Sequence, residues 1–84
     1  MAIVRKARFS GRAAKEIGRL DIRWKERVAD AVEDLAVDAL LGKKLKGEFE
    51  GLRSFRLGRY RLIYRFTTDF LEIAFFSDRK DAYR

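Results

Sequence analysis

Between Leu52 and Phe76 the sequence alternates large apolar and polar residues in three runs, Leu52–Leu57, Tyr60–Thr67 and Phe70–Phe76. Only two residues separate one run from the next, Gly58-Arg59 and then Thr68-Asp69. Successive side chains on a strand point to opposite faces, so a period of two marks a half-buried strand. Two-residue joints are the length of tight hairpins. The three runs are therefore expected to pair antiparallel in chain order, and no proline interrupts them. Such a sheet presents an apolar face that the first half of the chain has to cover.

That half reads as one strand and two helices. Ile3 to Phe9 alternates roughly and contains no glycine, which predicts a strand. Ser10 stands where a helix N-cap would, and Ala13, Ile17 and Leu20 recur at helical spacing through Gly11–Leu20. Gly18, near the end of this helix, is placed to help terminate it. Asp21 caps a second, longer helix, on which Trp24, Val28, Val32, Leu35 and Ala39 trace one face. Asp30, Glu33, Asp34 and Asp38 mark its opposite face, a solvated surface and not a metal site, because carboxylates spread over two exposed turns do not converge. Residues 42–51, GKKLKGEFEG, read as a loop with three glycines and three lysines. The expected order is β-α-α-β-β-β in a single domain over residues 1–84. Its class is α+β, a helical hairpin on one face of a small, mainly antiparallel four-stranded sheet.

The composition narrows the chemistry. The 84 residues include no cysteine and no histidine. Disulfides, thiolate metal sites, a cysteine nucleophile and the usual neutral-pH acid–base group are thereby removed. No metal or other cofactor is expected. No apolar run is long enough to span a bilayer, and MAIVRKARFS lacks the apolar middle of a signal peptide. A soluble cytoplasmic chain with no membrane partner is the expectation. The formal charge is +7, split unevenly: residues 1–42 hold nine Lys/Arg against seven Asp/Glu, and residues 43–84 hold eleven against six. The second half is where an anionic partner is drawn.

Period two places much of that charge on one side of the sheet. If the helices cover Tyr60, Leu62, Tyr64 and Phe66, the neighbouring strands add Phe55, Leu57, Leu71, Ile73 and Phe75 to the covered face. The other face then shows Ser54 and Arg56, next Arg61, Ile63 and Arg65, and last Glu72, Ala74 and Phe76. One wet face is common in an antiparallel sheet, and this one is cationic. A single arginine there is ordinary, its stem covering apolar surface while its head stays hydrated. The set is less ordinary. Arg56 and Arg61 flank the Gly58-Arg59 hairpin and are expected side by side on adjacent strands, where like charges repel. A shared anion such as phosphate resolves the conflict, and the guanidinium fork donates two parallel bonds to it. Arg65 on the same face, and Lys43, Lys44 and Lys46 in the preceding loop, are further candidates for phosphate contact.

LKGEFEGLRSFRLGRYRLIYRF, residues 45–66, resembles the signature of the RelE/ParE superfamily of toxins. FFSDRKDAYR resembles the family's C-terminal ending, and RFSGRAAKEIGRL resembles the opening of its first helix. The resemblance implies a helical hairpin on a small antiparallel sheet, and a growth-arresting toxin neutralised by a cognate antitoxin. In the RelE branch such a toxin enters the ribosome and cuts mRNA; in the ParE branch it poisons DNA gyrase. On the RelE pattern, Arg61 matches the arginine that stabilises charge on the scissile phosphate. Arg56 stands where a catalytic lysine or arginine is found. Tyr83 matches a C-terminal tyrosine that orients the target nucleotide, and Arg79 an RNA-contacting arginine.

Two positions depart from that pattern. Asp78 occupies the place where many relatives have histidine, and a carboxylate beside a phosphate is electrostatically unhelpful. Ser54 stands where ribosome-dependent enzymes often have a further lysine, and arginine cannot replace that lysine as a base. Lys46, Tyr83 or a group on the ribosome remain as bases. Three functions are carried forward: an mRNA endoribonuclease acting without a metal, with Arg56, Arg61 and Tyr83 as its working set; a non-enzymatic gyrase poison; and a degenerate member that only binds its antitoxin. The antitoxin is expected to offer an acidic segment to the +5 half of the chain.

Overall fold

The computed structural model describes residues 4–78. Two short polar side chains set where its helices start. Ser10 Oγ accepts from the Ala13 amide at 3.0 Å and opens α1, Gly11–Gly18. Asp21 Oδ1 accepts from the Trp24 amide at 3.0 Å and opens α2, Ile22–Val37. Each satisfies a first-turn N–H that has no partner within its own helix. Gly18 is the last residue of α1, yet it does not take the left-handed backbone of a glycine cap. Both expected N-caps stand, and α1 ends two residues earlier than its apolar spacing predicts.

The strands are β1 Lys6–Phe9, β2 Lys43–Lys44, β3 Arg53–Leu57, β4 Tyr60–Phe66 and β5 Phe70–Asp78. They form one sheet in the order β1-β5-β4-β3-β2, with β1 parallel to β5 and every other pair antiparallel. The sheet thus has five strands and not four. Lys43 and Lys44, assigned to a loop by composition, pair with Ser54 and Arg53. Two lysines in a row carry no alternation, so nothing in their pattern marks a strand.

One face of the sheet holds the core. Ala13 of α1 and Val28, Ala31, Val32, Leu35 and Ala36 of α2 pack against Leu62, Tyr64, Leu71, Ile73 and Phe76. Trp24 meets Tyr60 edge-on, with ring centroids 4.8 Å apart, and Tyr60 stacks on Phe76 at 4.9 Å. Phe76 was expected on the wet face and Phe75 in the core; the structure reverses them. Ile63 pairs with Phe75 but Tyr64 pairs with Ile73, so Ala74 is an extra residue, a β-bulge that shifts the alternation by one.

The bulge lies where β1 leaves the outer edge of β5. Beyond the Phe9–Ile73 pair, α1 supplies the missing partners: Ser10 Oγ donates to the Ala74 carbonyl, and Glu16 Oε1 accepts from the Phe76 amide at 3.0 Å. On the face away from the helices, Ile63 is fully buried and the ring of Phe49 lies 6.3 Å from that of Phe75. The face predicted to be wet is therefore dry at its centre and cationic around it. Among the described residues no helix is long and apolar enough to cross a membrane.

Candidate functional site

The β3–β4 hairpin turns on Gly58, whose φ of 62° is in the left-handed region that favours glycine. A Cβ at Gly58 would also come within 2.7 Å of the Trp24 ring. Leu57 pairs with Tyr60 across this turn, and the next pair is Arg56 with Arg61. Arg61 is in turn opposite Ser77 on β5. Directly opposed residues share a face, so Arg56, Arg61 and Ser77 form one row across three strands. The expected side-by-side arginines are present.

A buried hydroxyl brings the lysines to them. Tyr64 OH donates to the Ala39 carbonyl at 2.6 Å and accepts from the Gly42 amide at 3.0 Å. Arg53 holds the same turn, its guanidinium donating to the carbonyls of Leu40 at 3.2 Å and Gly42 at 2.6 Å. Fixed in this way, the chain enters β2 beside β3, and Lys43, Lys44, Ser54, Arg56 and Arg61 line one cleft of about 470 Å³. Leu41 and Leu45 give it an apolar wall. Four cations beside apolar side chains suit a ligand with an anionic backbone and a flat or greasy part. Of the described residues lining the cleft, Lys43 and Lys44 are the ones able to release and take back a proton; arginine is not.

The other sequence-predicted residues are elsewhere. Lys46 lines a neighbouring cleft of about 720 Å³ that it shares with Lys44, Arg53 and Glu50. Arg65 lies past the bulge and donates to Glu72, its cross-strand partner, at 2.8 Å, which separates it from the Arg56–Arg61 cleft. Arg79 and Tyr83 lie outside the described residues. Asp78, expected to disturb a bound phosphate, pairs with Tyr60, one step out of phase with the Arg61–Ser77 pair. It therefore belongs to the opposite face. Its Oδ2 accepts two bonds from Arg59, at 2.6 and 3.1 Å. Those bonds, and then the charge of the same carboxylate, raise the Arg59 guanidinium above its ordinary value.

Sequence reasoning missed Ser77, Arg53 and the Arg59–Asp78 tie. The parity of β5 held the signal for Ser77, but the bulge at Ala74 hid it. The role of Arg53 depends on carbonyls in a turn whose shape no pattern reveals.

A helical pair on one face of a mainly antiparallel sheet, with two arginines paired across strands on the other, defines a small α+β protein with a cationic cleft. Residues 7–83 match the family model for the ParE toxin of type II toxin–antitoxin system, parDE. The chain belongs to this family, within the RelE/ParE superfamily of type II toxin–antitoxin toxins. It is similar to a chain of the toxin–antitoxin complex RelBE2 from Mycobacterium tuberculosis, at 31% identity and a TM-score of 0.83, covering 94% of this chain and 95% of that one. It also resembles the YoeB dimer from Staphylococcus aureus, with 21% identity, a TM-score of 0.72 and coverage of 84% and 92%. The archaeal RelE–RelB complex from Pyrococcus horikoshii aligns at 18% identity and a TM-score of 0.72, over 94% and 99%. The last two likenesses are of fold. A search of curated protein sequences gave no match.

Proposed function

We propose that this toxin is an mRNA endoribonuclease that holds a phosphodiester in the Arg56–Arg61 cleft and is silenced by an antitoxin covering it. The direct cross-strand pairing of two arginines carries the proposal. Two guanidiniums brought side by side on adjacent strands form a matched site for a phosphate, to which each fork can donate two parallel bonds. In the reaction, the ribose 2′-OH attacks the adjacent phosphorus, the new O2′–P bond forms and the P–O5′ bond breaks, leaving a 2′,3′-cyclic phosphate and a 5′-hydroxyl whose proton comes from water. Arg61 and Arg56 stabilise the charge that builds on the phosphoryl oxygens. Lys43 and Lys44, which line the same cleft as the two arginines while Lys46 does not, are the candidates to take the 2′ proton. Arg79 and Tyr83 join this set as RNA-contacting residues. The ribosome presents the message, and an acidic segment of the antitoxin competes for the same cations.

Cleavage of mRNA on programmed ribosomes by purified protein tests this. Arg61→Ala is expected to fold, since substitution at a sheet surface seldom costs much stability, and to lose cleavage by about 10²–10³-fold. Arg61→Lys restores part of it, because a point charge lacks the bidentate fork. A folded wild-type protein that leaves mRNA intact on programmed ribosomes would sink the nuclease proposal, and a folded Arg61→Ala protein that still cleaves would remove Arg61 from the site. The match to a ParE model favours a second reading, a gyrase poison with no chemistry of its own. Loss of DNA supercoiling in the presence of the toxin, with mRNA left intact, would establish it.

A further inference from the structure

Ser77 on β5 is buried, 9% exposed, and among the described residues its Oγ has no hydrogen-bond partner. A buried hydroxyl without a partner costs stability, native chains keep few, and each calls for an explanation. The other orphan among the described residues, Arg53 Nε, is explained by its own side chain, whose terminal nitrogen clamps the carbonyls of Leu40 and Gly42. Nothing of that kind accounts for Ser77. What distinguishes it is its place: it completes the Arg56–Arg61–Ser77 row, on the face of the cationic cleft. The next residue, Asp78, belongs to the other face and is tied to Arg59, so its carboxylate does not claim the Ser77 proton.

We infer that Ser77 Oγ is a third donor of the anion site, held in reserve for an oxygen of the phosphodiester that Arg56 and Arg61 bind. The inference rests on the proposed nuclease function and adds a residue to it. A serine hydroxyl between a guanidinium and a phosphate donates its single proton to a phosphoryl oxygen, an acceptor that two arginines have already brought into the row. Serine has three staggered rotamers, and rotation about its Cα–Cβ bond is enough to redirect the hydroxyl toward a ligand held along the row. The unliganded chain carries the cost of the unpaired group, and the bound one does not. Functional sites characteristically hold local features that lower stability in this way.

The test compares wild type, Ser77→Ala, Ser77→Thr and Arg61→Ala in two measurements: thermal unfolding of the free toxin, and mRNA cleavage on programmed ribosomes. Ser77→Ala is expected to melt at a higher temperature than wild type, because it removes an unsatisfied group. It is also expected to cleave about 10- to 100-fold more slowly, the value of one hydrogen bond to a charged group. Ser77→Thr keeps a donor and is expected to recover cleavage. An uncleavable 2′-O-methyl oligoribonucleotide serves as the binding probe, and its protection against unfolding should shrink in Ser77→Ala. If Ser77→Ala melts lower, the hydroxyl has a structural partner and the inference falls. If Arg61→Ala loses cleavage while Ser77→Ala keeps it, the inference alone falls and the nuclease function stands. If the wild-type chain cuts no message, both fall together.

Discussion

Tyr64 does at the scale of one residue what a longer strand would otherwise have to do. Its ring is wholly buried in the core, and its hydroxyl serves both a carbonyl and an amide of the turn before β2. Tyr64→Phe keeps the ring and strands the Gly42 N–H and the Ala39 C=O. The expected loss is about 1–3 kcal/mol, read from urea denaturation. Cleavage should fall further than stability alone explains, because Lys43 and Lys44 lose the anchor that sets them beside Arg56. Unchanged stability would show that these groups find other partners. Gly42 is constrained by the same hydroxyl: a Cβ there would come within 2.5 Å of Tyr64 OH and 2.8 Å of the Ser54 carbonyl. A tyrosine on a strand's apolar face announces burial, but its two hydrogen bonds cannot be read from period two.

At the scale of elements, α1 and β5 are joined by side chains that act on each other's backbone. Ser10 caps α1 and binds the bulged Ala74 carbonyl, so it works at both ends of the junction. Ser10→Ala is expected to cost about 1–2 kcal/mol, the upper part of the range for a lost N-cap, measured by chemical denaturation. A change within a few tenths of a kcal/mol would mean that water replaces both bonds. Ser10 and Asp21 were both legible as caps, because a short polar side chain before an apolar helical repeat has few other uses. β3 and β4 were legible from alternation and from the Gly58-Arg59 joint. β5 was legible only as far as Ile73. Past that residue the bulge inverts the faces, and a bulge stabilised by a distant helix has no local sequence mark. The same inversion decides the site. Arg56 and Arg61 lie on an unbroken hairpin and were placed correctly, whereas Ser77 and Asp78 lie beyond the bulge and were not. Lys43 and Lys44 were expected as candidates for phosphate contact and not as a strand, since their register comes from Tyr64 and Arg53 rather than from their own pattern.

At the scale of the whole molecule, charge and apolar surface are both unevenly spread. The cationic cleft lies on the β2–β3–β4 side, and Leu40 and Leu41, at the turn leading into it, are 65% and 51% exposed. An antitoxin segment that is acidic and apolar by turns matches that combination. Its association rate is expected to fall as salt is raised, because exposed charges are screened beyond about 8–10 Å at ordinary ionic strength. Stopped-flow mixing at several salt concentrations measures this, and a rate indifferent to salt would remove charge steering from the account. The parallel pairing of β1 with β5 has a consequence in time. Among the described residues the sheet neighbour of β1 is β5, and Ser10 reaches across 64 positions of chain to the carbonyl of Ala74. Ribosomes make proteins from the N-terminus, so the first strand emerges long before its partner has been translated. Hairpin β3–β4 can close as soon as it appears, while β1 must wait for the last strand. The Arg61–Ser77 pairing waits as well. A half-made chain is therefore not a half-strength poison: the Arg56–Arg61 pair can form early, but the row that runs on to Ser77 is complete only once β5 has been made.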